Sequence, residues 1–428
     1  MYLLIWLCLW QIIAILVHNP IYFAAPADVL VALTEKMGDR SFWMSVTGSL
    51  LRILGGFFGA FFLAFLCAFA AHNRNWVKDF LSPFIMFLKS VPIAAVVVIL
   101  LIWWGPKYLV LCISLMVVFP NIYLNMQAGL QHARTDLLEV AKVFGFRKID
   151  TFLWIYRSAY LPHLHSAMSV SLGMCFKSGI AAEIIGLPEF SIGEQLYRDK
   201  IYFHTAGVFA WIIVVLCLST ITEKLILFLF HRFALFPKSC PMETGASLQN
   251  TKISSENDLK DHDGLTVFSN GPVTKTFNDR LLINTELKLE KGKIYYLPGP
   301  SGAGKTTLLH LIAGLTDPEN GSIESGRISM VFQEDRLVES ANALRNLRIA
   351  GCRGNITKEL KELLPKEVLS HPVSELSGGE RRRVCIARAL LHPSDLVIAD
   401  EPFTGMDEET KKKCTAFILS HLEGRTFV

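Results

Sequence analysis

The stretch Gly299-Pro300-Ser301-Gly302-Ala303-Gly304-Lys305-Thr306 decides how this chain is read. Its spacing, G-x-x-x-x-G-K-[ST], is that of a loop wrapped around a polyphosphate. Glycines let backbone N–H groups turn inward, Lys305 reaches the terminal phosphates, and the Thr306 hydroxyl holds Mg²⁺. The flanks support this reading. Lys293–Leu297 predicts a strand feeding the loop, and Thr307–Ala313 predicts a helix whose N-terminus faces the anion. A chance glycine-rich turn would lack both. The expected ligands are ATP and Mg²⁺, held by residues 299–307.

Outward from this loop the composition changes sharply. The chain has 428 residues, 51% of them hydrophobic, and all eight tryptophans lie before residue 212. Residues 237–264 are polar, rich in Ser, Asn, Asp and Lys, and show no helical stripe, which predicts a linker between a membrane half at 1–236 and a soluble half at 265–428. The net charge of +4 is small for this length, and no run interleaves Arg with aromatics, so a nucleic-acid partner is not expected. Nine cysteines are scattered singly without a C-x-x-C pair. This points away from zinc and disulfide frameworks and toward small buried side chains.

Six stretches approach the roughly 20 apolar residues that cross a bilayer: Tyr2–Val17, Ser41–Ala71, Phe80–Trp104, Tyr108–Gln127, His165–Ile185 and Thr205–Phe230. The first has neither a basic leader nor a small-residue cleavage site, so it reads as a retained span. Loops carrying Arg74, Lys78, Arg134, Lys142, Arg147, Lys148 and Arg157 share one side. The opposite loops offset their lysines and arginines with acids. The basic side is the cytoplasmic one, which places both termini and the phosphate loop in the cytoplasm. Gly55 and Gly59 form a small-xxx-small pair, and Pro83 and Pro92 suggest a kinked or re-entrant entry to the third span. Lys89 reads as a snorkelling residue. Lys177 and Glu183 stay open between snorkelling and lining a pathway.

Leu137–Gly145 is a short amphipathic stretch closed by a glycine. On physics alone it could lie on the membrane surface. Glu139, Ala141 and Gly145, with Pro162 downstream, resemble the E-A-A…G…P loop of permeases in binding-protein-dependent ABC importers. That resemblance implies a coupling helix docking onto an ATPase. Residues 177–186, 191–196 and 205–211 are similar to the nitrate/taurine/sulfonate permease branch, and the resemblance covers nearly the whole membrane half.

From about Gly271 the chain resembles an ABC ATPase. The resemblance implies that Phe277 stacks on adenine, where the plainer reading is an ordinary strand residue, and that Gln333 senses Mg²⁺ and touches the coupling helix. It also implies that Ser377, Gly378 and Gly379 of Leu376–Glu380 grip the γ-phosphate of ATP held by an opposite subunit. The run Arg381–Arg383 reads as a solvated helix face. Leu396–Glu401 reads as a buried parallel strand ending in two carboxylates. Asp400 would hold the metal's water shell beside Thr306 and Gln333, and Glu401 would polarise the attacking water as the catalytic base. Asp407 fits the loop that follows.

The resemblance also implies a histidine some 25 to 30 residues after Asp407. The sequence given runs to Val428 without it, and His421 falls too early, in the preceding helix pattern. The expectation is a chain that binds ATP but turns it over poorly as a homodimer, or one whose partner supplies an intact ATPase.

The fold class expected is therefore a six-span ABC importer permease followed by an α/β P-loop ATPase domain that is short at its C-terminus. The function implied is ATP-driven import of a small anion such as a sulfonate, taurine or nitrate. Expected partners are a second copy or another ABC chain, a separate extracytoplasmic solute-binding protein and the bilayer of the cytoplasmic membrane. A thiamine-precursor pyrimidine as solute, or a regulatory, hydrolysis-impaired paralogue, are the alternatives. An exporter would carry long cytoplasmic helix extensions, and a membrane-anchored P-loop kinase would need one span rather than six.

Overall fold

The computed structural model describes residues 2–234, 264–277, 280–300 and 302–428. In chain order its helices are α1 (Tyr2–Val17), α2 (Pro26–Met37), α3 (Arg40–Asn73), α4 (Asn75–Ser90), α5 (Ile93–Gln131), α6 (Thr135–Val143), α7 (Lys148–Thr151), α8 (Arg157–Gly186), α9 (Ile192–Ile201), α10 (Thr205–Ala234), α11 (Lys305–Ile312), α12 (Ala343–Ile349), α13 (Ile356–Leu363), α14 (Gly378–Leu391) and α15 (Glu408–His421). A π-helical turn, Phe152–Tyr156, precedes α8. The strands are β1 (Leu265–Phe277), β2 (Arg280–Thr285), β3 (Lys288–Glu290), β4 (Asn320–Ser325), β5 (Ile328–Val331), β6 (Leu396–Ala399) and β7 (Thr426–Phe427). One compact unit is drawn from Met1–His132 and Ala159–Glu243, the other from Ala133–Ser158 and Thr244–Val428. The expected linker, apart from Gly264, lies outside the described residues.

The first unit is helical and membrane-embedded. Among the described residues four helices are long and apolar enough to cross a bilayer, Arg40–Asn73, Ile93–Gln131, Lys148–Gly186 and Thr205–Arg232, with Leu4–Val17 a shorter apolar helix. Leu51, Phe62, Leu66, Ile102, Trp103, Leu216 and Phe228 stand exposed on α3, α5 and α10. Side chains of this kind suit lipid and not water.

The stretch Phe80–Trp104 is not one helix. It breaks between α4 and α5, where Val91 is extended and Pro92 caps the next helix. Proline denies its predecessor the helical region and supplies no N–H, so the chain restarts there. Pro83 sits inside α4. The stretch Tyr108–Gln127 joins 93–104 within α5, across a kink where Gly105 takes φ 70° and Pro106 follows.

Close helix approach also falls elsewhere than at Gly55 and Gly59, which have nothing within 4 Å of a Cβ position. Gly56 is the contact residue, since a Cβ there would lie 2.5 Å from the Ser114 Cβ on α5. One position along a helix turns the face by about 100°, so a neighbouring glycine does not substitute for it. Glu183 is fully buried and does not snorkel. It accepts from Ser49 Oγ (2.6 Å), Arg52 Nη1 (3.1 Å) and the Gly193 N–H (3.3 Å), tying α3, α8 and α9 together.

The second unit is α/β. β1 pairs antiparallel with β2, β3 and β4, while β5, β6 and β7 form a parallel sheet in that order. The run Leu396–Ala399 is buried on both faces as the central strand, which explains its unbroken apolar sequence. Lys293–Leu297 is not a strand. Ile294 makes a single bridge to Phe427, because the neighbour it runs along, β7, contributes only two residues.

Candidate functional site

The phosphate loop passes into α11 through Gly304, which caps the helix in the left-handed conformation at φ 86°. A side chain there would be strained, so glycine is required for the loop to deliver the first-turn N–H groups inward. Lys305 Nζ donates to the carbonyls of Gly299 (2.6 Å) and Pro300 (3.0 Å), curling over the loop it belongs to. Gly299, Lys305, Asp400 and Glu401 together line one cavity of about 440 Å³, with Tyr295, Leu297 and Phe403 among its apolar walls. Thr306 and Thr307 lie in the first turn of α11 and Gly302 and Ala303 in the loop before it. Ser301 and the Phe277 side chain fall outside the described residues.

Asp400 is buried, and its Oδ2 has no hydrogen-bond partner. An orphaned carboxylate oxygen in the same cavity as Lys305 fits a cation there. Among the described residues no cluster of three or more His, Cys, Asp or Glu side chains forms a metal cage. Glu401 takes φ 49°, a strained setting for a non-glycine residue, at the end of β6.

The strain is held by an arginine. The run Arg381–Arg383 is not uniformly solvated, since Arg382 is only 3% exposed. Three consecutive helical positions fan about 100° apart, and Arg382 shares its face with buried Cys385, Ile386 and Ala389. Its guanidinium donates to the carbonyls of Asp400 (2.9 Å), Glu401 (2.5 Å), Pro402 (3.1 Å) and Gln333 (3.2 Å), and also to Phe332. One side chain thus ties the carboxylate turn to the segment carrying Gln333. The Gln333 side chain itself is exposed and does not line the cavity.

Ser377 caps α14, accepting from the Glu380 N–H (3.4 Å), while Glu380 accepts from the Ser377 N–H (2.9 Å) and hydroxyl (2.8 Å). These bonds hold the Glu380 carboxyl below its usual range. Ser377, Gly378 and Gly379 do not line the cavity that holds Lys305. His421 stacks on Phe417 and meets Glu359 at 2.9 Å, within α15 and its neighbours.

The second unit also contains residues 133–158. α6 ends at Phe144, and Gly145 turns the chain at φ 59°. Val140 and Phe144 are buried among Met330, Phe332, Ala350, Leu396 and Ile398. Leu137 and Ala141 pack with Ile155. Glu139 Oε2 accepts from Arg336 Nη1, three residues past Gln333. Arg134 pairs with Glu339 at 2.7 Å, and Lys142 Nζ donates to the Gly314 carbonyl at 2.6 Å. The Phe144 ring lies 4.8 Å from the Arg388 guanidinium and edge-on to His392 at 5.1 Å. Arg388 is 2% exposed with Nε and Nη2 lacking hydrogen-bond partners, so the Phe144 π face is a principal contact for that cation.

Sequence reading missed Arg336, Phe144, Arg382 and Arg388. The available signal was an arginine inside the apolar run Val384–Leu390 and an aromatic immediately before Gly145.

Burial holds His310 and His392 below the ordinary imidazole range. The folded state prefers both neutral, whereas the unfolded chain takes up protons near pH 6.5. Their contribution to stability is therefore present above about pH 6.5 and lost as the pH falls below it toward the folded-state values. We expect the cassette's melting midpoint to be lower at about pH 5.5 than at about pH 7.5, with a smaller difference in His392→Gln.

Two family descriptions match this chain. "ABC transporter" matches residues 282–404, and "Binding-protein-dependent transport system inner membrane component" matches residues 44–234. The chain is 42% identical over 141 residues to the aliphatic sulfonates import ATP-binding protein SsuB 1 of Rhodococcus jostii (strain RHA1), covering 31% of this chain and 57% of that protein. It is 35% identical over 186 residues to the lipoprotein-releasing system ATP-binding protein LolD of Bacteroides fragilis (strain YCH46), covering 36% of this chain and 86% of that protein. It is 35% identical over 157 residues to the taurine import ATP-binding protein TauB of Pseudomonas aeruginosa (strain UCBPP-PA14), covering 32% of this chain and 60% of that protein. The chain thus spans a little over half the length of the sulfonate relatives it matches.

Proposed function

We infer that this chain, which belongs to the ABC transporter family and joins an importer-type permease to its ATP-binding cassette, uses ATP to import a small solute across the cytoplasmic membrane. One observation carries this reading. Residues 133–158 lie inside the stretch that matches the permease family, yet they belong to the cassette's compact unit. A membrane protein whose cytoplasmic loop is built into an ATPase core is arranged to pass force between the two.

The functional division is a permease at 1–236, a linker at 237–264 and a cassette at 265–428. The permease crosses six times, by α1, α3, α4 with the first arm of α5, the second arm of α5, α8 and α10. Basic residues of the 71–79 and 132–160 loops support a topology with both termini in the cytoplasm. Gly299 to Thr307 cradle the phosphates, and Phe277 meets the adenine. Asp400 and Thr306 would hold Mg²⁺, which when bound would neutralise charge on the phosphates, and Gln333, whose side chain stands exposed outside the cavity, would have to turn inward to join them. Glu401 orients the attacking water, and Arg382 keeps its backbone in the strained turn. By resemblance to ABC ATPases, Ser377, Gly378 and Gly379 serve ATP on an opposing cassette, and in this chain they do not line the cavity that holds Lys305. The opposing chain is a second copy or another ABC subunit. Glu139, Ala141 and Gly145 form the coupling element.

The solute is a small organic anion delivered by a separate binding protein. Similarity to sulfonate and taurine import ATPases supports this, and the permease match supports a binding-protein-dependent route. The test is uptake into proteoliposomes carrying the assembled transporter, its binding protein outside and ATP inside, with labelled taurine and ethanesulfonate as solutes. Accumulation that requires both ATP and the binding protein is expected. ATP-dependent efflux, or no movement of either solute, overturns the import reading.

A further inference from the structure

Lys177 stands on α8, inside the candidate span Lys148–Gly186, and it is exposed. Val170, Met174, Ala181 and Ile185 are exposed with it. These positions recur every three or four residues, so they form one stripe along the helix. The other side of α8, with Ser171, Cys175, Phe176, Gly179 and Glu183, is buried in the bundle.

The lysine lies deep. Within the apolar stretch His165–Ile185 it is eight residues from one end and twelve from the other, about 12 and 18 Å at the helical rise. A helical Cα–Cβ bond tilts toward the helix N-terminus, so the side chain leaves the backbone toward the farther end. That direction works against snorkelling to the nearer interface.

The carboxylates of the spans are engaged elsewhere. α3, α5, α8 and α10 carry two acidic residues between them, Glu183 and Glu223. Glu183 accepts from Ser49, Arg52 and the Gly193 N–H. Glu223 accepts from Ser169, eight residues or about 12 Å before Lys177 on α8. Among the described residues Lys177 has no hydrogen-bond or ion-pair partner.

An unpaired ammonium at this depth is costly in hydrocarbon, and ionisable side chains of spans face the bundle interior or a water-filled cavity. The stripe is therefore a poor surface for lipid. It also has room beside the charge. Gly173, one turn before Lys177, would meet nothing within 4 Å if it carried a Cβ, and Ala181, one turn after, is small.

We propose that Lys177 lines a water-filled solute path through the permease and selects a small sulfonate-type anion there, its ammonium serving as the counter-charge. The inference rests on the importer reading, whose opposing chain supplies the other wall of the path. What it adds is the residue that sets the charge of the solute. An anionic lipid headgroup would pair with an ammonium as well, so the test separates the two.

The test introduces Ala181→Cys, one turn from the lysine, in the full chain reconstituted in phosphatidylcholine nanodiscs. Modification is followed by peptide mass spectrometry. Native Cys217, exposed on α10 beside Leu216, is the lipid-facing reference in the same sample. The probes are sulfonatoethyl methanethiosulfonate, an anion, and its trimethylammonioethyl counterpart, a cation. Both are expected to modify the introduced thiol at least about tenfold faster than Cys217, because water reaches only the first. The anionic-to-cationic rate ratio is expected to fall about tenfold in Lys177→Gln and to be retained in Lys177→Arg. Added ethanesulfonate is expected to slow modification, whereas replacing a third of the lipid by phosphatidylglycerol leaves it unchanged. An introduced thiol no more reactive than Cys217 overturns the water-filled path, and a ratio indifferent to residue 177 overturns the selecting role. Protection by phosphatidylglycerol without protection by ethanesulfonate overturns the assignment to a solute. None of these measurements needs ATP or transport, so their failure leaves the ATP-driven import reading standing on its own test.

Discussion

Replacing Lys305 with alanine is expected to weaken ATP binding by about ten- to a hundredfold. A hydrogen bond from a charged donor is worth about 1.5–3 kcal/mol, and each 1.4 kcal/mol is a factor of ten in affinity. Lys305 is the lysine that lines the cavity holding Asp400 and Glu401, and its ammonium already sits over the loop carbonyls of Gly299 and Pro300. Truncation leaves Gly304 and the start of α11 intact, so the N-terminal amides still face the phosphates. Binding is then weakened and not abolished. The measurement is equilibrium binding of labelled ATP to the solubilised chain, with Lys293→Ala as control, because Lys293 pairs with Glu290 away from the cavity. A change below about twofold for Lys305→Ala would place the nucleotide elsewhere.

The second large effect is expected at the joint between α6 and the cassette. In Arg336→Glu the Glu139 carboxylate meets a like charge in place of its guanidinium partner. Arg336 is only 15% exposed in its side chain, so the lost pair is partly shielded from water. Breaking one side of a buried pair costs about 3–5 kcal/mol. The exposure of Glu139, at 38%, reduces that figure here. We expect uptake to fall at least about tenfold while ATP binding stays within about twofold of the parent. Phe144→Ala should act in the same direction, because it removes the ring that covers the Arg388 cation. Loss of ATP binding in either variant would point to a folding role for the joint.

Much of this architecture is readable in the residues, and the exceptions have physical causes. Glycine spacing sets the turn into α11 because only glycine takes the left-handed cap at Gly304 without strain. An unbroken apolar run bounded by acids marks β6 as a central strand. Gly145 likewise announces the end of α6. Hydropathy, by contrast, averages over a window, so it merged the two helices that Pro92 separates, although it does part the two arms of α5 at Gly105, whose φ of 70° is not helical. Rotational register decides whether Gly55 or Gly56 meets α5, and whether Arg382 faces water or the carboxylate turn. No neighbouring element is known at the level of sequence to fix that register. The segment 293–297 has strand-like residues, but a strand also needs a partner, and β7 offers two residues.

The proposed mechanism passes force through the joint of α6 with the cassette, and the reciprocal exchange Glu139→Arg with Arg336→Glu tests it most directly. The exchange restores opposite charges in the same place with their order reversed. ATP-dependent uptake by the double variant is expected to recover to within about threefold of the parent, while each single reversal stays at least about tenfold down. A double variant as inactive as either single one, with ATP binding intact, would contradict transmission through this contact.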